Sequence, residues 1–278
     1  MAAEQPGTVP AVDSASVVLL RDGPPRPEGG GNVEVLLLER HLDSDFAGGA
    51  YVFPGGKVDA ADRELDPARW TGRALTWWQP RLGAATPQDA LGLLVCAVRE
   101  TFEEAGILLA AREDGQPLTG DDLSQASFRE ARQRLSDRSQ RWDWRGWLED
   151  EALTLDLGCL ALWSWWVTPE GQHRRFDTRF FVTPLPAQQV AAHDRIETTA
   201  LVWTRPEDAL AEQARGSAVI IFPTRRNLQA LRGHPSAQVV WEAALTSTEP
   251  VPRIQPTIVM VEGRPMVQHP HESDPSPV

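Results

Sequence analysis

Apolar residues recur along the chain at two periods, and the two periods predict its elements. Short apolar runs at 16–20 and 33–38 read as strands, with the Pro- and Gly-rich stretch 21–32 between them as a hairpin-type connection. Residues 174–183 alternate: Phe176, Thr178, Phe180 and Val182 fall on one face, Arg175, Asp177, Arg179 and Phe181 on the other. Further strands are expected at 107–110, 160–168 and 200–203, the second of these rich in β-formers, and the run 219–222 leads into Pro223-Thr224. Helical spacing marks 88–105, 124–139, 142–153, about 206–214, a segment carrying Leu228 and Leu231, and 238–245. Residues 257–261 and 265–268 flank Glu262-Gly263-Arg264 as a terminal hairpin, and no internal repeat is visible. Residues 62–87 make an excursion holding Trp70, Trp77 and Trp78 among prolines.

Helix 88–105 organises the chain. Leu91, Leu94, Val95, Val98, Phe102 and Ala105 share an apolar face, while Glu100, Glu103 and Glu104 stand at i, i+3 and i+4 nearly opposite. Like charges at that spacing destabilise a helix by roughly 0.2–0.5 kcal/mol per pair. The face is therefore either simply solvated or the seat of a hard cation, since Mg²⁺ and Ca²⁺ prefer oxygen ligands. Gly106 ends the helix. Upstream, a strand runs into Pro54-Gly55-Gly56, where glycine lets backbone approach something closely; an ordinary tight turn reads the same way.

Composition narrows the setting. With 278 residues, 41% hydrophobic and 24% charged, the chain is a globular one with room for a sizeable core. The net charge of −12 argues against a nucleic-acid or anionic-membrane surface, and no apolar run approaches the ~20 residues of a membrane helix. The first residues lack a basic stretch followed by an apolar one, so no signal peptide is expected. Two cysteines, Cys96 and Cys159, imply no disulfide framework, and a cytoplasmic, reducing location is the expectation. Lys57 is the sole lysine, so nearly all positive charge is arginine, whose planar fork suits phosphate.

Residues 99–107, Arg-Glu-Thr-Phe-Glu-Glu-Ala-Gly-Ile, resemble the second half of the Nudix box, Gly-x5-Glu-x7-Arg-Glu-U-x-Glu-Glu-x-Gly-U, with Thr101 at the aliphatic position U. The first half stands at Gly56, with Asp62 where the family has Glu, and 36 residues separate Asp62 from Arg99 in place of seven. That interruption, with Phe53-Pro54-Gly55-Gly56 before it, is similar to the branch of Nudix hydrolases related to the peroxisomal coenzyme A diphosphatases. Trp166-Val167-Thr168-Pro169-Glu170, Arg175-Phe176-Asp177-Thr178-Arg179 and Pro223-Thr224 fit it too, and Leu37-Leu38-Glu39-Arg40 partly matches a coenzyme A signature.

The resemblance implies an α/β/α Nudix sandwich with a mixed central sheet. It would span 12–246, with helical insertions at about 63–87 and 112–150, after a loose lead-in at 1–11. An extension at 247–270 and a disordered tail at 271–278 would follow. It implies hydrolysis of a nucleoside diphosphate linked to another moiety, first coenzyme A or an acyl-coenzyme A. An ADP-ribose, NADH or damaged-nucleotide diphosphatase, or a non-catalytic nucleotide sensor, are the alternatives. Mg²⁺, with Mn²⁺ as a substitute, would be held by Glu100, Glu103, Glu104 and the Gly55 carbonyl. Arg99 would orient Glu103, and Glu197 would be the general base with Glu100 as competitor. Arg40, Gly56, Arg175 and Arg179 would meet substrate, with pairing to nearby acids as the alternative for the last two. Arg225 and Arg226 are weaker candidates, and Trp163, Trp165 and Trp166 would either stack on adenine or pack. The partner is a small nucleotide diphosphate, with no nucleic acid and no membrane, and a homodimer stays open.

Overall fold

The computed structural model describes residues 9–26, 30–41, 48–137, 139, 142–192 and 198–277. Strands β1 (Val12–Asp22), β2 (Val33–Arg40), β3 (Ala50–Val52) and β4 (Gly55–Lys57) come first. The excursion carries β5 (Trp70–Thr71) and helix α1 (Leu75–Leu82), and leads to the long helix α2 (Pro87–Ala105). Then follow β6 (Ala110–Arg112), α3 (Gly120–Leu123), α4 (Ala126–Ser136), α5 (Trp144–Asp150) and β7 (Leu153–Asp156). The second half holds β8 (Ala161–Val167), β9 (Phe176–Pro184), β10 (Thr198–Thr204), α6 (Pro206–Ala214), β11 (Val219–Ile220), α7 (Phe222–Leu231) and α8 (Ala237–Thr246). β12 (Arg253–Ile254), β13 (Thr257–Val261), β14 (Arg264–Gln268) and β15 (Ser276–Pro277) close the chain.

The central sheet runs β11-β3-β2-β1-β9-β8-β12, with β10 also on β2 and β4 also on β1. It is mixed: β1 and β9 pair in parallel over Val12–Leu20, whereas β1–β2 and β8–β9 are antiparallel. Period-two alternation divides its side chains between two cores. Ala15, Val17, Leu19, Leu36 and Phe181 point into the layer of α1 and α2. Val18, Leu20, Val35, Leu37, Phe180 and Val182 point into the layer of α7 and α8. The expected α/β/α sandwich is thus present.

The two insertions are joined. β5 from the first and β6, which leads into the second, flank β7 in a separate sheet of order β5-β7-β6. Trp147 of α5 stacks on Phe102 of α2, centroids 5.8 Å apart, and meets Phe128 of α4 edge-on at 5.2 Å. Helix α1 falls within the first expected helical insertion and carries Pro80 inside it. The expected strand at 107–110 is displaced to Ala110–Arg112, because the Gln189 side chain takes the main-chain groups of Leu108. Its amide oxygen accepts from the Leu108 N–H at 3.1 Å, and its NH₂ donates to the Leu108 carbonyl at 3.0 Å.

β12 extends the main sheet and β13–β14 form the hairpin. The tail departs from expectation: Ser276 and Pro277 pair with Val267 and Met266. Among the described residues no helix is long and apolar enough to cross a membrane.

Candidate active site

Helix α2 is fixed at both ends by its own sequence. Thr86 caps the N-terminus by accepting from the Asp89 N–H, and Asp89 accepts from Thr86 in return. Those Thr86 bonds, with Arg63 as a further partner, hold the Asp89 carboxyl below its ordinary pKa. At the other end Gly106 adopts φ +69°, a left-handed conformation suited to glycine, and returns its N–H to the Phe102 carbonyl. Every residue from Ala90 to Ala105 is buried.

The solvated alternative for the acidic face is therefore wrong. Glu100, Glu103 and Glu104 are 2%, 2% and 3% exposed. Their cover comes in part from the glycine turn. The Gly55 N–H donates to Glu104 Oε2 at 2.9 Å. Glu100 lies so close to Gly56 that a Cβ there would sit 2.4 Å from Oε1. β1 holds this turn in place: Ser16 Oγ donates to the Pro54 carbonyl and Ser14 Oγ to the Gly56 carbonyl.

Arg99 ties the halves together. Its Nε and Nη2 donate to the two oxygens of Asp62, each at 2.9 Å, and Nη1 donates to Glu100 Oε1 at 2.8 Å. Glu103, the expected partner, is paired at 3.5 Å. The i+4 pair is present, and Asp62 and Glu100 lie nearer to the guanidinium. Asp62 is fully buried and also accepts from the Asp59 N–H. Burial pushes its carboxyl up from the ordinary range, against the lowering pull of Arg99. Burial works against the Arg99 cation, yet Glu100 and Asp62 hold its pKa well above normal.

One guanidinium thus faces three buried carboxyl groups, those of Asp62, Glu100 and Glu103, and Glu100 Oε2 has no hydrogen-bond partner. A buried anion is costly without a counter-charge, so this all-oxygen donor set fits a hard divalent cation. Among the described residues no three carboxylates, histidines or cysteines converge on one point as a finished cage. The glutamates are turned instead toward N–H donors on Gly55 and Arg99. Gly55 contributes its N–H to this set.

The sequence profile of the NUDT19 Nudix domain matches residues 66–229, more than half of the chain. The chain belongs to the NUDT19 Nudix domain family. It is similar to the acyl-coenzyme A diphosphatase NUDT19 of Gallus gallus, 33% identical over 250 residues, covering 76% of this chain and 65% of that one. The Homo sapiens protein of the same name is 32% identical over 225 residues, covering 67% and 57%. The chain thus spans less than two thirds of the length of these relatives. Among solved structures, a NUDIX hydrolase from Alicyclobacillus acidocaldarius superposes with a TM-score of 0.66 at 29% identity, covering 88% of this chain and 99% of that one.

The remaining candidates in this NUDT19 Nudix domain separate clearly. Arg175 and Arg179 are buried and bind the protein itself. Arg175 donates to the carbonyls of Thr168, Pro169 and Val9. Arg179 donates twice to the Leu82 carbonyl and to Asp13 and Asp177, and lies 4.3 Å over the Trp165 ring. Both are corrections to the substrate-binding expectation. Trp165 and Trp166 are buried, Trp166 edge-on to Phe222, so neither offers a free face to adenine, and half-buried Trp163 packs against the same core.

Arg40 ends β2 beside β3 and β10, half-buried, with an Nε that has no hydrogen-bond partner. Arg226 pairs with Glu272, and Cys96 is a buried thiol donating to the Gly56 carbonyl, its pKa raised well above normal by burial. Glu197 lies outside the described residues.

The sequence reading placed Asp62 at the Gly56-x5 spacing and left its role open, because a long insertion follows it, and it missed Arg132 altogether. Arg132 of α4 carries no motif. Its Nε and Nη2 donate to the carbonyls of Glu103 and Glu104 at 2.9 and 2.8 Å, and Nη2 also to the Ala192 carbonyl.

Proposed function

We propose that this chain hydrolyses the diphosphate of coenzyme A or an acyl-coenzyme A to 3′,5′-ADP and (acyl-)4′-phosphopantetheine, with Mg²⁺ or Mn²⁺. The observation that carries the reading is the reassembled box: Asp62 and Arg99 meet across 36 residues and set three buried glutamates against Gly55-Gly56. The similarity to acyl-coenzyme A diphosphatases supplies the substrate class.

A diphosphate repels an incoming hydroxide. When bound, a divalent cation neutralises that charge and makes water acidic enough to serve as nucleophile. Glu100, Glu103 and Glu104 would hold it. Arg99 fixes the orientation of Glu100 through its 2.8 Å bond and is itself fixed by Asp62. Of the two candidates for general base, Glu100 is the one placed among the described residues. Its unpartnered Oε2 is an acceptor for a water proton. The glycine turn brings backbone close to the glutamates and leaves room for phosphate oxygens. Both cysteines are free thiols, and we place the reaction in a reducing compartment.

A panel of diphosphate substrates with Mg²⁺ and product identification tests the reading. Release of 3′,5′-ADP from coenzyme A is the expected result. Intact coenzyme A beside cleaved ADP-ribose or NADH would overturn the substrate, and nucleotide binding without turnover under any divalent metal would overturn the enzyme.

A further inference from the structure

A helix leaves its last carbonyls without an intrahelical donor, and in α2 those carbonyls belong to the turn that carries Glu103 and Glu104. The Phe102 carbonyl still receives the Gly106 N–H at 3.0 Å. The next three are served from far along the chain. Arg132 of α4 donates from Nε to the Glu103 carbonyl at 2.9 Å and from Nη2 to the Glu104 carbonyl at 2.8 Å. The Ala192 N–H donates to the Ala105 carbonyl at 2.9 Å, and Arg132 Nη2 in turn reaches the Ala192 carbonyl. One guanidinium therefore closes the end of the helix that holds two of the three buried glutamates.

Packing fixes this guanidinium where it stands. Phe128, one turn earlier on α4, is 1% exposed and shares a core with Phe102, and Trp147 meets both rings. Gly106 makes the room: a Cβ there would sit 2.8 Å from Arg132 Nη1. Charge and geometry make opposite demands on an arginine so placed. As a charge alone, it would compete with a cation for the glutamates, and its loss would tighten metal binding. As a clamp, it holds the main chain from which two metal ligands hang, and its loss would loosen metal binding. The bonds favour the clamp. They go to the carbonyls of Glu103 and Glu104, and a planar fork grips two consecutive acceptors where an ammonium grips one. The carboxyl groups stay turned to Arg99 and Gly55.

We propose that Arg132 is a positioning residue of the metal site: it locks the last turn of α2 so that Glu103 and Glu104 are held in place for the divalent cation. Through this one side chain the second insertion becomes part of the support of the interrupted box. The proposal rests on the reading of Glu103 and Glu104 as metal ligands, and it is independent of which diphosphate is cleaved.

Calorimetric titration with Mg²⁺, without substrate, tests this on Arg132→Ala and Arg132→Lys. Arg132→Ala should bind Mg²⁺ roughly 10–100-fold more weakly than wild type, the usual loss when a group that orients a metal ligand is removed. Arg132→Lys keeps the charge and loses the fork, so it should recover only part of the affinity, and it carries the test if the alanine variant does not fold. A cavity of about 550 Å³ opens beside Arg132. Methylguanidinium should therefore enter and restore Mg²⁺ binding to Arg132→Ala, and methylammonium should not. In turnover of coenzyme A, the Mg²⁺ concentration for half-maximal rate should rise, with kcat at saturating Mg²⁺ and KM for coenzyme A near wild type. Unchanged or tighter Mg²⁺ binding in Arg132→Ala overturns the proposal, as does full recovery by lysine or equal rescue by methylammonium. A lowered melting midpoint with an unmoved Mg²⁺ midpoint also overturns it, since that is what a merely structural residue would give. If wild type cleaves other diphosphates and spares coenzyme A, the substrate reading fails, and the substrate-free titration still decides the role of Arg132.

Discussion

Asp62 and Arg99 meet through two parallel hydrogen bonds of 2.9 Å inside the protein, although 36 residues lie between them. Lengthening a flexible loop from seven to 36 residues costs about 1.4 kcal/mol in closure entropy. Removing one partner of a buried pair costs about 3–5 kcal/mol, because the other charge is left uncompensated. Asp62→Ala should lose about 3–5 kcal/mol in urea denaturation, and Asp62→Asn, which keeps an acceptor, should lose less.

Glu103→Gln and Glu104→Gln should remove activity while keeping the fold. The Gln carbonyl can still accept from the Gly55 N–H, so the thermal midpoint without metal should move little. Turnover should fall by about 10²–10⁴, the range for losing an essential charged group at a reacting centre. Wild type should gain stability with added Mg²⁺, and each variant should lose most of that gain. A full Mg²⁺ response in both variants would show that these glutamates do not hold the metal.

The two glycines of the turn should fail differently. A Cβ at Gly55 would lie 2.5 Å from the Ala15 carbonyl and 2.7 Å from the Ser16 Cα, both backbone that cannot yield. Gly55→Ala should therefore destabilise the protein. A Cβ at Gly56 would meet the carboxylate of Glu100, a side-chain end that can swing away. Gly56→Ala should keep near-normal stability and lose kcat. Equal melting losses in both would contradict this division.

Acid should loosen the second insertion before the core. Asp122 accepts from the Thr119 N–H and hydroxyl and pairs with Arg112, which together lower its pKa to about 2. A carboxyl whose folded pKa lies below the unfolded value of 3.8 stabilises fully above about pH 4, and loses that stability as pH falls toward 2. Asp122→Ala should cost about 1 kcal/mol at neutral pH, the usual worth of such a cap. It should also flatten the stability-against-pH curve between pH 4 and 2.

Arg179→Ala should unfold rather than weaken binding. Four hydrogen bonds, to the Leu82 carbonyl and to Asp13 and Asp177, and the Trp165 face are lost at once. The expected loss is about 3–5 kcal/mol, with KM for coenzyme A unchanged in whatever fraction stays folded. A raised KM at unaltered stability would restore a substrate role.

These cases show what could be read from residues alone. Helix α2, its terminating Gly106 and its carboxylate triplet are local patterns and were legible, as was the β9 alternation. The burial of the carboxylates was not, because their cover is a turn more than forty residues upstream. Arg175 and Arg179 looked like phosphate ligands because nothing in a strand pattern reveals which carbonyls lie opposite. Arg132 was invisible for the same reason: its acceptors are backbone atoms of another helix. The base candidate Glu197 falls outside the described residues.

The three-stranded β5-β7-β6 sheet has a consequence for how this chain can be shortened. β5 sits within the interruption of the box and β6 leads into the second insertion, yet both take their hydrogen bonds from β7. Excising either piece alone would expose a raw strand edge, a template for aggregation. The two additions behave as one module, and a minimal version of the chain must shed both together or retain both.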